Sequence, residues 1–127
     1  MRKSEPPTFS KNSDFFEKVY AVVKEIPPGK VTSYGLIAEF LGAKSSARLV
    51  GYAMNGVGNR IEIPAHRVVN RIGLLTGKFH FETPETMKNR LLAEGVEFID
   101  SDQVDMKKHG WSPSEMLPIA FRMSLIK

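Results

Sequence analysis

The sequence predicts a mainly α, winged helix-turn-helix-type single domain with a short β hairpin or wing. Three observations lead there. The chain has 127 residues, close to the commonest size of a domain with one core. Apolar residues recur at three- and four-residue steps in several short blocks separated by Pro and Gly. Two of these blocks meet at a corner containing Gly42, the arrangement of a helix-turn-helix.

In chain order, residues 1–12 include Lys3, Pro6 and Pro7 and show no period, so a loose N-terminal arm is expected. From Ser13, a candidate N-cap, the apolar positions Phe15, Phe16, Val19, Val22, Val23 and Ile26 predict a helix that Pro27-Pro28-Gly29 stops. A short extended piece, Lys30 to Thr32, leads to a second helix through Leu36, Ile37, Phe40 and Leu41, with Gly42 just past its end. Ser45 or Ser46 can cap a third, through Ala47, Val50, Ala53 and Met54, in the recognition position of the motif. Pro64 lacks a backbone donor, so Ile61 to Val69 cannot be one clean strand, and a buried turn followed by a strand at Val68 to Asn70 is expected. Gly73 and Gly77 bracket Leu74-Leu75-Thr76 as a hairpin or wing. Thr83 and Pro84 read as N-cap and N1 of a helix through Met87, Leu91 and Leu92, ended by Gly95. Trp111-Ser112-Pro113 is a packing anchor, and from Leu117 no period stands out. Residues 13–99 thus form the expected domain and residues 100–127 an extension packed on it or trailing it.

The formal charge is +4, but its distribution says more. Between residues 44 and 78 lie Lys44, Arg48, Arg60, Arg67, Arg71 and Lys78 against one acid, Glu62, and the remainder is near neutral. A basic middle of this kind suits a polyanion-binding face, with an ordinary solvated surface as the alternative. Arg60 and Arg71 are the expected phosphate contacts, and Glu17 should lie away from them.

Several chemistries drop out. The chain has no cysteine, which removes disulfides, thiolate metal sites and thiol nucleophiles. His66, His80 and His109 are far apart with no metal-binding spacing, so neither a metal nor another cofactor is expected. No Gly-x-Ser-x-Gly elbow accompanies His66, and no phosphate-cradling Gly motif occurs. No apolar run approaches a membrane span and the start is too polar for a secretory signal; a cytoplasmic protein without membrane partners is expected.

One segment resists a purely structural reading: Ile63-Pro64-Ala65-His66-Arg67-Val68-Val69. Together with Val31-Thr32-Ser33-Tyr34-Gly35, Ala47-Arg48-Leu49-Val50-Gly51 and Leu91-Leu92-Ala93-Glu94-Gly95, it resembles the DNA-binding domain of the O6-alkylguanine-DNA alkyltransferases. That family's signature loop reads Pro-Cys-His-Arg-Val. Ala65 stands where the family carries its alkyl-accepting cysteine, and a methyl group can neither form a thiolate nor attack carbon. The resemblance therefore implies the alkyltransferase-like branch: a non-enzymatic monomer that binds double-stranded DNA carrying O6-alkylguanine, on the bacterial nucleoid, and hands the lesion to nucleotide excision repair proteins.

It further implies roles residue by residue. Arg48 would fill the stack after the nucleotide is flipped, with a phosphate contact as the alternative. Tyr34 would support the rotated nucleotide, or start a helix as a packed aromatic. Gly51 would allow close approach to the minor groove, where Tyr52 departs from the small residue usual in the family. Met54, Ala65 and Val68 would line the base pocket, or serve as core. Lys78 would lie near the lesion, or be a solvated lysine. Val57 replaces a hinge asparagine. His66 and Glu94 match the pair that activates the family's cysteine; with no thiol present they are expected, with Pro64 and Arg67, to hold the loop through buried hydrogen bonds. The competing readings are a winged-helix transcription regulator reading bases in the major groove and a hydrolase using His66.

Overall fold

The computed structural model describes residues 7–126. Helix α1 spans Pro7–Val23, so Ser13 lies inside it and the expected arm is corrected for residues 7–12. Proline is well suited to a first helical turn, where its missing N–H has no intrahelical acceptor. Residues 1–6 of that arm lie outside the described residues. Val19, Val22, Val23 and the following Ile26 are fully buried, which is the face that the apolar steps mark.

Strand β1 (Thr32–Ser33) pairs in parallel with β2 (Val68–Val69), Thr32 opposite Val68 and Ser33 opposite Val69. Asn70 does not continue β2, because its Oδ1 accepts from the N–H groups of Ile72 and Leu74 and bends the chain into a turn. Alternation along β2 divides the interior. Val68 joins a core with Val19, Ile37, Phe40, Val50 and Trp111, while Val69 joins a second with Val31, Met87, Leu91 and Val104.

Helix α2 (Tyr34–Phe40) starts from Ser33, whose Oγ accepts from the Leu36 N–H at 3.2 Å. Gly42, at a φ of +73°, takes the left-handed turn beyond it that a side chain would disfavour. A 3-10 turn over Lys44–Ser46 then leads into α3 (Ala47–Asn55), and neither Ser45 nor Ser46 makes a capping bond to it. Helix α4 (Thr86–Ala93) begins later than Thr83-Pro84 suggests, since the Thr83 N–H and hydroxyl bond to the Thr86 hydroxyl in a turn before the helix.

The hairpin is not at residues 73–77. It is formed by β3 (Phe98–Asp100) and β4 (Gln103–Val104), and the 73–77 loop lies against it. Leu74 bridges Gln103, the Leu75 N–H donates to Asp102 O at 3.2 Å, and the Val104 N–H donates to Gly73 O at 2.9 Å. A Cβ on Gly73 would stand 2.6 Å from Val104 O, so this approach requires glycine. The expected boundary between residues 99 and 100 is thereby corrected, because it cuts β3.

Three helices follow: α5 (Met106–His109), α6 (Pro113–Met116) and α7 (Ile119–Ile126). They close on the body of the fold. Val31 N–H donates to His109 O and Trp111 N–H to Val31 O, and Trp111 is buried in the first core, against which Phe121 and Leu125 pack. Among the described residues no helix is long and apolar enough to cross a membrane.

Candidate nucleic-acid interface

Helical spacing splits α3 into two faces. Val50, Ala53 and Met54 are buried, while Arg48, Tyr52 and Asn55 are exposed along the opposite side, with Gly51 half-buried between them. A Cβ on Gly51 would meet nothing within 4 Å, so the helix surface there is open. The outer face thus carries a cation, an aromatic 55% exposed and an amide around a flat spot.

Behind α3 lies a cleft of about 930 Å³. The structure brings Tyr34, Met54, Pro64, Ala65, His66, Arg67, Val68 and Glu94 to its walls, whereas Arg48, Gly51 and Lys78 are not among its lining residues. Tyr34 is placed by β1 and the Ser33 cap, and its hydroxyl lies 3.4 Å from Thr76 Oγ1. Ala65 opens a 3-10 turn, Ala65–Arg67, between Pro64 and β2. Its side chain is a methyl group on the cleft wall, beside a histidine that is only 8% exposed.

Beneath that wall lies a charged cluster centred on Glu94. Glu94, at the end of α4, accepts from Arg67 Nε at 3.1 Å and Nη2 at 2.6 Å, from His66 Nε2 at 2.8 Å and from the Gly29 N–H at 3.4 Å. Arg67 Nη1 donates to Ile26 O at 2.7 Å. The cluster therefore ties the Ala65 turn to α4 and to the end of the first helical segment. Burial by itself would raise the Glu94 carboxyl, but the Arg67 and His66 bonds outweigh it and hold it at about 2. Burial lowers the His66 imidazole below its usual range, and the Glu94 contact offsets this only in part. His66 Nδ1 is buried and has no hydrogen-bond partner among the described residues. A neutral imidazole oriented by a carboxylate is a base in form. No thiol stands beside it, since the chain contains none.

The basic segment is less uniform than its composition suggests. Arg60 bonds Glu62 at 3.1 Å and Glu17 at 3.2 Å and lies over the Tyr20 ring, so the expectation that Glu17 lies away from Arg60 is corrected. The chain turns between α3 and the Pro64 loop and brings the two together. Lys78 is likewise no solvated lysine, because its Nζ donates to Asp102 Oδ2 at 2.6 Å. Arg48 and Arg71 make no ion pair among the described residues.

Residue-level reading also missed features. Asn55, the last residue of α3, stands where the outer face meets the cleft and lines it with His80, Phe81 and Arg90, and Arg90 stacks over Phe81 at 5.7 Å. Asn55 follows Arg48 by two helical turns and Arg90 precedes Glu94 by one, spacings that could have singled both out. Ile61, 94% exposed, stands on the cleft wall, while Phe79, 72% exposed, follows Lys78 in the loop. Neither carries a sequence signal of its own.

Fold and site together define a helix-turn-helix domain with a part-polar cleft behind an open recognition helix. More particularly, the chain belongs to the family of the 6-O-methylguanine DNA methyltransferase, DNA binding domain, which matches residues 14–96. It is alkyltransferase-like and has no cysteine. It is 36% identical to Alkyltransferase-like protein 1 of Schizosaccharomyces pombe over 104 residues, covering 79% of this chain and 96% of that one. It is 38% identical to the DNA base-flipping protein of Escherichia coli over 106 residues, 80% of this chain and 78% of that one. The crystal structure of S. pombe Atl1 in complex with damaged DNA containing O6-carboxymethylguanine superposes with a TM-score of 0.71 at 36% identity, covering 89% of this chain and 100% of that one. Mycobacterium tuberculosis OGT in complex with DNA gives a TM-score of 0.58 at 36% identity, over 64% of this chain and 49% of that one.

Proposed function

We propose that this protein recognises O6-alkylguanine in double-stranded DNA and leaves it chemically unchanged. The observation that carries the reading is Ala65: the cleft, the Pro64 turn and the His66–Glu94 pair are all in place around a methyl group. The outer face of α3 enters the minor groove, Gly51 gives it close approach, and Arg48 fills the gap that the extruded nucleotide leaves. Tyr34, Met54, Ala65 and Val68 receive the flipped base, while Pro64, His66, Arg67 and Glu94 keep the loop rigid. Lys78 acts from the cleft rim, set there by Asp102. Relatives whose names describe base flipping, and a relative crystallised on DNA containing O6-carboxymethylguanine, support this assignment. The protein acts as a monomer without a cofactor in the cytoplasm, and passes the marked site to nucleotide excision repair.

A regulator reading the major groove has no use for a cleft behind its recognition helix, and the hydrolase reading lacks an activated serine. The test is intact mass after incubation with excess O6-methylguanine duplex. The expected mass is unchanged and the lesion remains in the DNA. A stoichiometric methyl adduct on the protein would overturn the reading.

A further inference from the structure

Beyond the matched residues 14–96, α7 reaches back to the helix-turn-helix corner. Arg122 Nε donates to Phe40 O at 2.7 Å, at the end of α2, and its Nη2 would lie 3.7 Å from a Cβ on Gly42. The guanidinium is thus anchored through Nε–H against the corner that precedes α3. Its other nitrogens have no carboxylate partner among the described residues. A groove of about 490 Å³ opens beside it between α2, α6 and α7, lined also by Ser114, Leu117 and Ile119. Glu39 is the only acid on that groove among the described residues, and it makes no ion pair with Arg122.

We infer that Arg122 is a phosphate-binding residue of the DNA face, contributed by the C-terminal helix. The inference rests on the proposed docking of α3. If Arg48, Tyr52 and Asn55 lie in a groove, the corner at the N-terminal end of α3 meets the backbone flanking it, and Arg122 stands at that corner. A guanidinium held through Nε keeps its two terminal nitrogens available as a fixed fork, a geometry that suits phosphate oxygens. The bond to Phe40 O supplies the positioning, since a side-chain donor on the last carbonyls of a short helix fixes the arginine and satisfies the helix end together. Contact with phosphate carries no base information, so this residue adds affinity without lesion preference.

The experiment measures affinity against salt for wild-type protein, Arg122→Gln and Arg122→Lys, on duplexes with and without O6-methylguanine. Folding is followed through the single tryptophan, Trp111, in the core that α7 covers. Arg122→Gln is expected to weaken both duplexes equally, by about three- to tenfold at low salt, and to reduce the slope of log affinity on log salt by about 1. Arg122→Lys should keep most of the slope. An unchanged slope in folded Arg122→Gln, with or without a lower Tm, overturns the inference and confines Arg122 to holding Phe40. Salt-independent binding by the wild-type protein overturns both this inference and the proposed function. Should Arg122→Gln fail to fold, Glu39→Gln decides: stronger binding of both duplexes supports a phosphate at this groove, and unchanged binding contradicts it.

Discussion

Arg48→Ala is expected to collapse the preference for O6-alkylguanine duplex over guanine duplex by about ten- to a hundredfold, with a smaller loss on undamaged DNA. Extruding a nucleotide costs a few kcal/mol, and an unfilled stack restores that penalty to the complex. Stacking on a planar side chain is worth roughly 1–3 kcal/mol per base, and each 1.4 kcal/mol is a factor of ten in affinity. Arg48 is exposed near the start of α3 with no ion pair among the described residues, so its removal should leave the fold intact. The fluorescence rise of a 2-aminopurine at the flipped position should disappear in the same variant. Lesion preference and unstacking that survive, accompanied by a change in sequence preference, would place Arg48 in a groove as a base reader.

The other large effect is on stability. Glu94→Ala should destabilise the fold by about 3–5 kcal/mol, because it strands a part-buried Arg67 guanidinium and removes the acceptor for His66. Thermal scans should record a fall of roughly 12–20 °C for a domain of this size. The pH dependence has a defined sign. Glu94 titrates at about 2 in the fold against 4.5 unperturbed, so its contribution is whole above 4.5 and is lost as pH falls towards 2; by linkage it amounts to about 3 kcal/mol. His66 is lowered from 6.5 by burial, so the unfolded chain binds a proton before the folded one does, and stability begins to decline below 6.5. Both groups make the native state acid-labile. Glu62, held low by its own backbone N–H and by Arg60, and Asp102, held low by Lys78, add smaller losses in the same range. In Glu94→Ala the slope between pH 4.5 and 2 should therefore be clearly shallower, and a denaturation series showing the full wild-type slope there would contradict the account.

What was legible in the sequence was what local chemistry encodes. Pro64 forbids a strand and makes a turn, Gly42 and Gly95 adopt the positive φ that ends helices, and the valines of α1 mark its buried face. The signature around Ala65 led to the cleft because contiguous residues build its wall. The charges were harder to read. Arg60 and Glu17 are 43 residues apart and Lys78 and Asp102 are 24 apart, so nothing local announces either pair. Composition grouped both cations with the free ones, whereas the fold pairs each with a carboxylate and leaves Arg48 and Arg71 without ion pairs among the described residues. Helix α7 was missed for a different reason. Phe121 and Leu125 pack inward while Ile119 and Met123 are exposed, so its apolar residues surround the axis and no stripe emerges.

The central claim is recognition of a modified base without its repair. Its most direct test is a binding titration on two duplexes that differ only by one O6-methylguanine, at fixed salt, with the lesion quantified in the recovered DNA. The account predicts at least about tenfold tighter binding of the lesion duplex, with the methyl group still on guanine at the end. Equal affinity for the two duplexes would contradict it.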